Sequence, residues 1–244
     1  MRHWWQRIRS RWQQPEVALP ALSLHAVDPG CEIELVREFE HERAELEAFV
    51  REIFQRHHGA EVRHFLPQLL GLRNDHALRA VLGFAPGGVA PMFLEQYFDQ
   101  PIEHVVAACV GEPVVRTRIM EVGNLAVASA GGARSLITAL TAYLRGAGYD
   151  WVVFTAGRGL QNSFARMGIE LQVLGPALPE RLQEGSAHWG RYYAQNPQVF
   201  LGSVAQGYGA LQSTLQDGRS LPLLESVWNR AYAAGYGQRI SEAA

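Results

Sequence analysis

Lysine is absent from this chain: all 22 basic residues are arginine. This excludes Schiff-base catalysis, a pyridoxal-phosphate lysine and the P-loop lysine of NTPases. Cysteine is scarce. Cys31 and Cys109 form no CxxC pair and cannot build the disulfide framework of a small secreted domain. No run approaches the roughly 20 apolar residues of a membrane-spanning helix. Arginines interrupt each apolar pair near the N-terminus, where a signal peptide needs an unbroken apolar region. A reducing cytoplasm is therefore expected. Charge of one sign is not in excess either. The formal net charge is −2, which does not suit a nucleic-acid-binding surface.

What is present is ordinary globular composition, with 48% hydrophobic and 19% charged residues over 244 positions. That length suits one large domain, or one domain with an extension. In residues 1–12, Trp4, Trp5, Ile8 and Trp12 would share one helical stripe among arginines, with no acid nearby. One reading is a short interfacial helix that holds the protein peripherally on the inner membrane surface. The other is a frayed tail, or a segment packed on the domain. Pro15, Pro20, Pro29 and Gly30 mark a linker. The expected organisation is a basic, aromatic segment and linker over 1–30, a domain over 31–205 and a helical extension over 206–244.

Periodicity supplies the elements. Residues 31–37 alternate like a strand, and 40–57 form an amphipathic helix through Leu46, Phe49, Val50, Ile53 and Phe54, ended by Gly59. Residues 66–72 and 80–84 read as two strands around a turn at 73–76. A short helix follows at 92–98, and 114–127 is the longest strand candidate. After a small-residue loop comes a helix with Leu136, Ile137, Leu140, Tyr143 and Leu144 on one face, stopped by Gly146 and Gly148. Strands at 151–155 and 169–174 flank a helix at 160–167. Beyond Gly175 and Pro176 the pattern is less regular, until helices near Leu211 and over 221–234.

The order strand, loop, helix, strand, helix, strand over 114–174 resembles the acyl-CoA-binding half of GNAT acyltransferases. The resemblance implies an α/β fold with a mixed, splayed β-sheet flanked by helices. Leu125, Ala126 and Val127 would pair with the pantetheine arm. Gly131, Gly132, Ala133, Arg134 and Ser135 would take the pyrophosphate through backbone N–H groups and the helix dipole. Ala128 stands where that family usually has arginine or glutamine. The segment from Phe164 to Ile169 resembles the GNAT Tyr-x-x-x-Gly-Phe stretch, with Phe164 replacing the tyrosine that protonates the leaving thiolate. Phenylalanine cannot donate that proton.

Glu121, Val122, Gly123 and Asn124 resemble the Glu-x-x-Arg strand of acyl-homoserine-lactone synthases and long-chain N-acyl amino acid synthases. Asn124 occupies the arginine position, and Ala85 follows Phe84 where those enzymes often carry another arginine. Residues three apart on a regular strand face opposite sides. A bulge, expected at Gly123, would let Glu121 and Asn124 converge on one acceptor. The alternative is that Glu121 pairs with Arg116 or Arg118 at a sheet edge.

Further segments bring the chain closest to the thermostable hemolysin family over roughly 33–205. They are Phe65, Leu66, Pro67, Gln68, Leu69 and Leu70; Met92, Phe93, Leu94, Glu95, Gln96 and Tyr97; residues 121–126; the strand from Trp151 to Ala156; and Trp189, Gly190, Arg191, Tyr192 and Tyr193. The resemblances imply an N-acyltransferase that moves a long acyl group from acyl-CoA or acyl-carrier protein to an amine. Glu121 would be the general base, and Glu95, Thr155 and Phe164 would contact substrate. No metal is implied. A rival of another class is a membrane-active protein without transferase activity, working through its Trp/Arg N-terminus. His41, His57, His58 and His64 fit no standard metal spacing. Ser135 lacks the Gly-x-Ser-x-Gly setting of a lipase nucleophile. Trp189, Tyr192 and Tyr193 form either a packing cluster or a wall of the acyl pocket.

Removing residues 1–13 separates the two classes. A transferase keeps acyl-CoA turnover after the deletion. A lytic protein loses liposome co-sedimentation and lysis together.

Overall fold

A computed structural model describes residues 23–25, 31–128, 131–216 and 222–243. The expected membrane-binding stripe of Trp4, Trp5, Ile8 and Trp12 lies outside the described residues, as do Ser129 and Ala130 of the small-residue loop.

The strands are β1 (Ser23–His25), β2 (Cys31–Arg37), β3 (Gln68–Asn74), β4 (Ala77–Pro86), β5 (Ile119–Val127), β6 (Trp151–Ala156), β7 (Leu171–Pro176) and β8 (Gln198–Ser203). The described helices are α1 (Arg43–His58), α2 (Ile102–Val110), α3 (Gly132–Ala147), α4 (Arg158–Arg166), α5 (Val204–Gln216) and α6 (Pro222–Ala243). The strands form one sheet in the order β1-β2-β3-β4-β5-β6-β8-β7. Only β5 and β6 run parallel; the other neighbours are antiparallel. The sheet is mixed and open, as the resemblance implied.

Helices cover both faces, so the central strands carry apolar residues on both sides. In β4, Ala80, Leu82 and Phe84 pack toward α3, α5 and α6. Val81 points the other way, into a cluster with Leu46, Val50 and Ile53 of α1. Each such fully buried aliphatic side chain contributes roughly 1.5–3 kcal/mol. The second half of that face carries α2 and the 3-10 turn Phe93–Tyr97, which cover Ile119, Val153, Val199 and Leu201.

Four sequence expectations need correction. The strand expected from 114 begins only at Ile119, because Arg116–Arg118 forms a 3-10 turn. That turn aims Arg116 back at Glu95 and Glu103, and Arg118 at Asp150. The irregular stretch after Pro176 contains β8, which inserts between β6 and β7. Its four central residues, Val199 to Gly202, are buried on both faces and show no period to read. Helix α2 falls in a stretch to which no element was assigned, although Pro101 before it and Gly111 (φ 78) after it are boundary signals. Finally, Gly146 does not stop α3. The helix continues to Ala147 and is capped by Gly148 at φ 85.

Gly146 stays helical because α6 lies against it backbone to backbone. A Cβ at Gly146 would overlap the Tyr232 carbonyl, and one at Gly235 would overlap the Tyr143 carbonyl. Helix α6 also stacks Trp228 on Tyr208 of α5, with ring centroids 4.4 Å apart. Gly235→Ala therefore pushes two backbones apart and should cost about 1–3 kcal/mol despite alanine's better helix propensity. Gly209→Ala in α5, where a Cβ meets nothing within 4 Å, should be neutral or stabilising. Urea midpoints of the two variants test the contrast.

Candidate active site

Strands β5 and β6 pair from Ile119 opposite Trp151 to Val122 opposite Phe154, and then part. β5 runs on to Val127 and β6 to Ala156 without further pairing between them. The gap opens in the middle of the sheet. On its other side, β5 bulges against β4: the register passes from Gly83 opposite Gly123 to Val81 opposite Ala126, so Leu82 faces two residues.

The bulge forms where expected, but not through Gly123. Asn124 takes the left-handed conformation, with φ 51. Asparagine tolerates that region because its short amide can bond locally. Here Asn124 Oδ1 accepts the Leu66 N–H at 2.9 Å, and Nδ2 donates to the His64 carbonyl at 3.0 Å. The glycines make room. A Cβ at Gly83 would sit 2.8 Å from Asn124 Oδ1, and one at Gly123 would sit 3.2 Å from Leu66 Cδ1. The buried Arg43 side chain adds bonds to the Leu66 and Pro67 carbonyls, both at 2.9 Å. The loop 64–67 is thereby clamped between α1 and β5. Asn124 holds this loop, and both ends of its amide are occupied by it.

Glu121 lies three residues before Asn124 and is 4% exposed. Its carboxylate accepts two peptide N–H groups at 2.9 Å, Phe93 on Oε2 and Leu94 on Oε1. Neither Arg116 nor Arg118 is its hydrogen-bond partner. Burial raises its pKa and outweighs the two N–H bonds that lower it; the balance stands at about 7. The group can thus exchange a proton near neutrality.

Glu95, the expected substrate contact, does not line the cavity. Its oxygens meet Arg116 at 2.6 and 2.8 Å and accept the N–H groups of Met92 and Ile102 at 2.9 and 2.8 Å. These bonds hold its carboxyl below the ordinary range despite burial, so it is a strut joining the 3-10 turn to α2.

A cavity of about 540 Å³ fills the gap between the strands. It is lined from both faces of the sheet: Val122, Leu125 and Val127 on the α3 side, Glu121 on the other. Of the expected donor contacts, Leu125, Val127 and Ala133 line it; so do Thr155 and Phe164. Phe164 stacks on Phe154, with centroids 5.0 Å apart. The Ala126 side chain turns away, into the α1 cluster. Gly131 (φ 93), Gly132, Arg134 and Ser135 begin α3 outside the cavity wall. Gly132 presses on β4, where a Cβ would come 3.0 Å from Ala80 Cβ. Arg134 is exposed, and the Ser135 hydroxyl bonds the Gly131 carbonyl at 3.4 Å.

The opposite end is aromatic. Phe93, Tyr97, Trp189, Tyr192 and Tyr193 line it, and the Tyr97 and Tyr193 hydroxyls bond each other at 2.6 Å. The aromatic segment at 189–193 is therefore both a packing cluster and a cavity wall. The part played by Phe93 and Tyr97 was not legible, because it depends on the 3-10 turn facing Glu121.

An open mixed sheet, parted at its one parallel pair over a cavity with one buried acid, defines a GNAT-like α/β protein. The chain belongs to the thermostable hemolysin family, whose pattern matches residues 36–208. No curated protein matches it. Solved structures that share the fold include three synthases. The acyl-homoserine-lactone synthase LasI is 14% identical, with TM-score 0.53 over 75% of this chain and 95% of its own. BjaI, a CoA-dependent acyl-homoserine-lactone synthase bound to SAM and isopentyl-CoA, is 17% identical, with TM-score 0.53 over 81% and 99%. FeeM, an N-acyl amino acid synthase from uncultured soil microbes, is 13% identical, with TM-score 0.51 over 75% and 98%. Among the described residues no helix is long and apolar enough to cross a membrane.

The bulge is open to a direct test. Asn124→Gly keeps the left-handed backbone and loses the amide bonds; Asn124→Ala loses both. Alanine should be the less stable variant by about 1–2 kcal/mol, the cost of the left-handed conformation. Equal denaturation midpoints would place the turn elsewhere.

Proposed function

We propose that this protein is an N-acyltransferase that moves an acyl group from acyl-CoA or acyl-carrier protein to an amine. The observation that carries the reading is the parting of β5 from β6 directly beside a buried carboxylate that titrates near neutrality. The unpaired edge of β5 offers backbone groups to the amides of a pantetheine arm, as an added strand would. The start of α3, with its first-turn N–H groups and Arg134, suits the phosphates at the far end of that arm. The apolar cavity suits an acyl chain.

In this reading the amine arrives as an ammonium ion. Glu121 takes a proton from it, and the freed nitrogen attacks the thioester carbonyl. The tetrahedral intermediate collapses with cleavage of the C–S bond. The ammonium gives up two protons on the way to an amide. One leaves through Glu121 to solvent, and the other ends on the sulfur. Phe164 cannot carry that second proton, so it comes from the nitrogen itself or from water. Each oxygen of Glu121 keeps a lone pair beside its peptide N–H bond, which leaves the base free to act. The products named for the fold's neighbours are of two kinds, an acyl-homoserine lactone and an N-acyl amino acid. Asn124 in place of an arginine argues against carrying the lactone over.

Glu121→Gln tests the base. Turnover should fall by roughly 10²–10⁴-fold with donor affinity unchanged. The wild-type rate should rise with pH through about 7, and this limb should vanish in the variant. The amide must turn its NH₂ toward one peptide N–H, so some stability is lost, about 1–3 kcal/mol. The pH dependence of stability separates that loss from the kinetic effect. Because the folded pKa lies above the ordinary 4.5, the folded state binds more protons than the unfolded state between those values. Wild-type stability should therefore decline from pH 4.5 to about 7, and the Gln variant should lack this decline. A variant with full turnover would move the base elsewhere.

A further inference from the structure

Glu121 is the only acid lining the cavity among the described residues, and no arginine lines it. The chain has no lysine, so among the described residues no lysine or arginine cation lines this space. Three histidines, His57, His58 and His64, reach the rim. His57 is exposed. His58 accepts a bond from Gln195 Nε2 at 3.2 Å, and burial lowers its pKa, which favours the neutral ring. His64 sits on Glu184 at 2.8 Å. Next to Glu121 the wall is a continuous run of ring contacts, Tyr97 to Phe93 to Trp189 to Tyr193, with centroids 5.9–6.5 Å apart. Burial raises the pKa of both bonded tyrosine hydroxyls, so they stay neutral at physiological pH.

The ligand chemistry follows from this charge pattern. An ammonium group finds a carboxylate and aromatic faces, both of which attract cations. A free amino acid brings a carboxylate as well. That carboxylate would be buried beside Glu121 without a cation, at a penalty that exceeds ordinary binding gains. The aromatic wall lies across the sheet from α3, opposite the proposed donor entrance, so it faces the acceptor.

We infer that the acceptor is a primary amine with an apolar or aromatic body and no carboxylate. This rests on the transferase reading above and names its substrate class. The test compares three acceptors of one shape: phenethylamine, phenylalanine and phenylalaninamide. Each is measured with a series of acyl-CoA thioesters for amide formation, and alone by calorimetry for binding. Phenethylamine and phenylalaninamide should bind and be acylated, and phenylalanine should be at least about 100-fold poorer in kcat/KM. Trp189→Ala should weaken phenethylamine binding roughly tenfold. Phenylalanine acylated as well as the amines would overturn the inference and leave the transferase standing. Phenylalaninamide as poor as phenylalanine would also overturn it, since shape and not charge would then discriminate. Selective binding of the amines without amide formation from any donor would sink the transferase and support the ligand class.

Discussion

A carboxylate with no hydrogen-bonded counter-ion cannot stay buried unless dipoles replace its water, and Glu121 makes the site depend on that rule. The two peptide N–H groups that solvate it come from the start of a 3-10 turn, where the donors have no intrahelical partner. The turn must therefore hold its position to within a hydrogen-bond length. Glu95 supplies the restraint. It bonds the Met92 N–H before the turn, the Ile102 N–H that begins α2, and the Arg116 guanidinium that precedes β5. Two acids thus divide the work. Glu95 is strongly partnered and held below the ordinary carboxyl range. Glu121 is partnered only by neutral dipoles and is raised toward neutrality. This is how a fold keeps one carboxyl structural and another chemically available.

The gap in the sheet depends on a second local device. A strand that leaves its neighbour exposes unpaired backbone, which the interior tolerates only if something holds the edges apart. On the β4 side, the left-handed Asn124 turns β5 and fixes the loop 64–67 as a wall. On the β6 side, Phe154 is engaged by Phe164 and Phe200, so the strand end packs on its own cluster. β8 pairs with β6 along its full length and holds it away from β5. The opening is therefore built from residues in β4, β5, α4 and β8, and no single one of them marks it.

That distribution explains what the sequence could and could not say. The strand, helix, strand, helix order around residues 119–176 was readable, because α3 carries a clear apolar stripe and β5 and β6 are bounded by small or turn-forming residues. Glu121 was marked by the resemblance of residues 121–124 to a Glu-x-x-Arg strand. Its partners were not, since peptide N–H groups leave no trace in a side-chain pattern. The bulge was expected from strand geometry, but glycine was the natural suspect and asparagine does the turning. Gly146 was misread for a related reason. A glycine near a helix end looks like a stop, and only the α6 backbone lying across it shows why a Cβ is refused there. β8 was missed because its buried run from Val199 to Gly202 has no polar face to set a period, and α2 because its apolar residues continue onto its exposed side at Ala108 and Cys109, which blurs the stripe of Ile102 and Val106.

Phe164 can be understood in the same physical terms. Phe164 is partly buried against Phe154 and Leu160 on the cavity's apolar wall, where it completes a stack whose centroids lie 5.0 Å apart. On the proposed reaction the loss of the tyrosine donor is small. A thiolate is a stable leaving group near neutral pH, since a free thiol has a pKa of about 8.5. The difficult proton is the one on the ammonium, whose ordinary pKa of about 10 leaves little free amine at pH 7. On that proposal the site keeps the one acid that lines its cavity among the described residues at the nitrogen and gives up the donor at the sulfur, which places catalysis where the barrier lies.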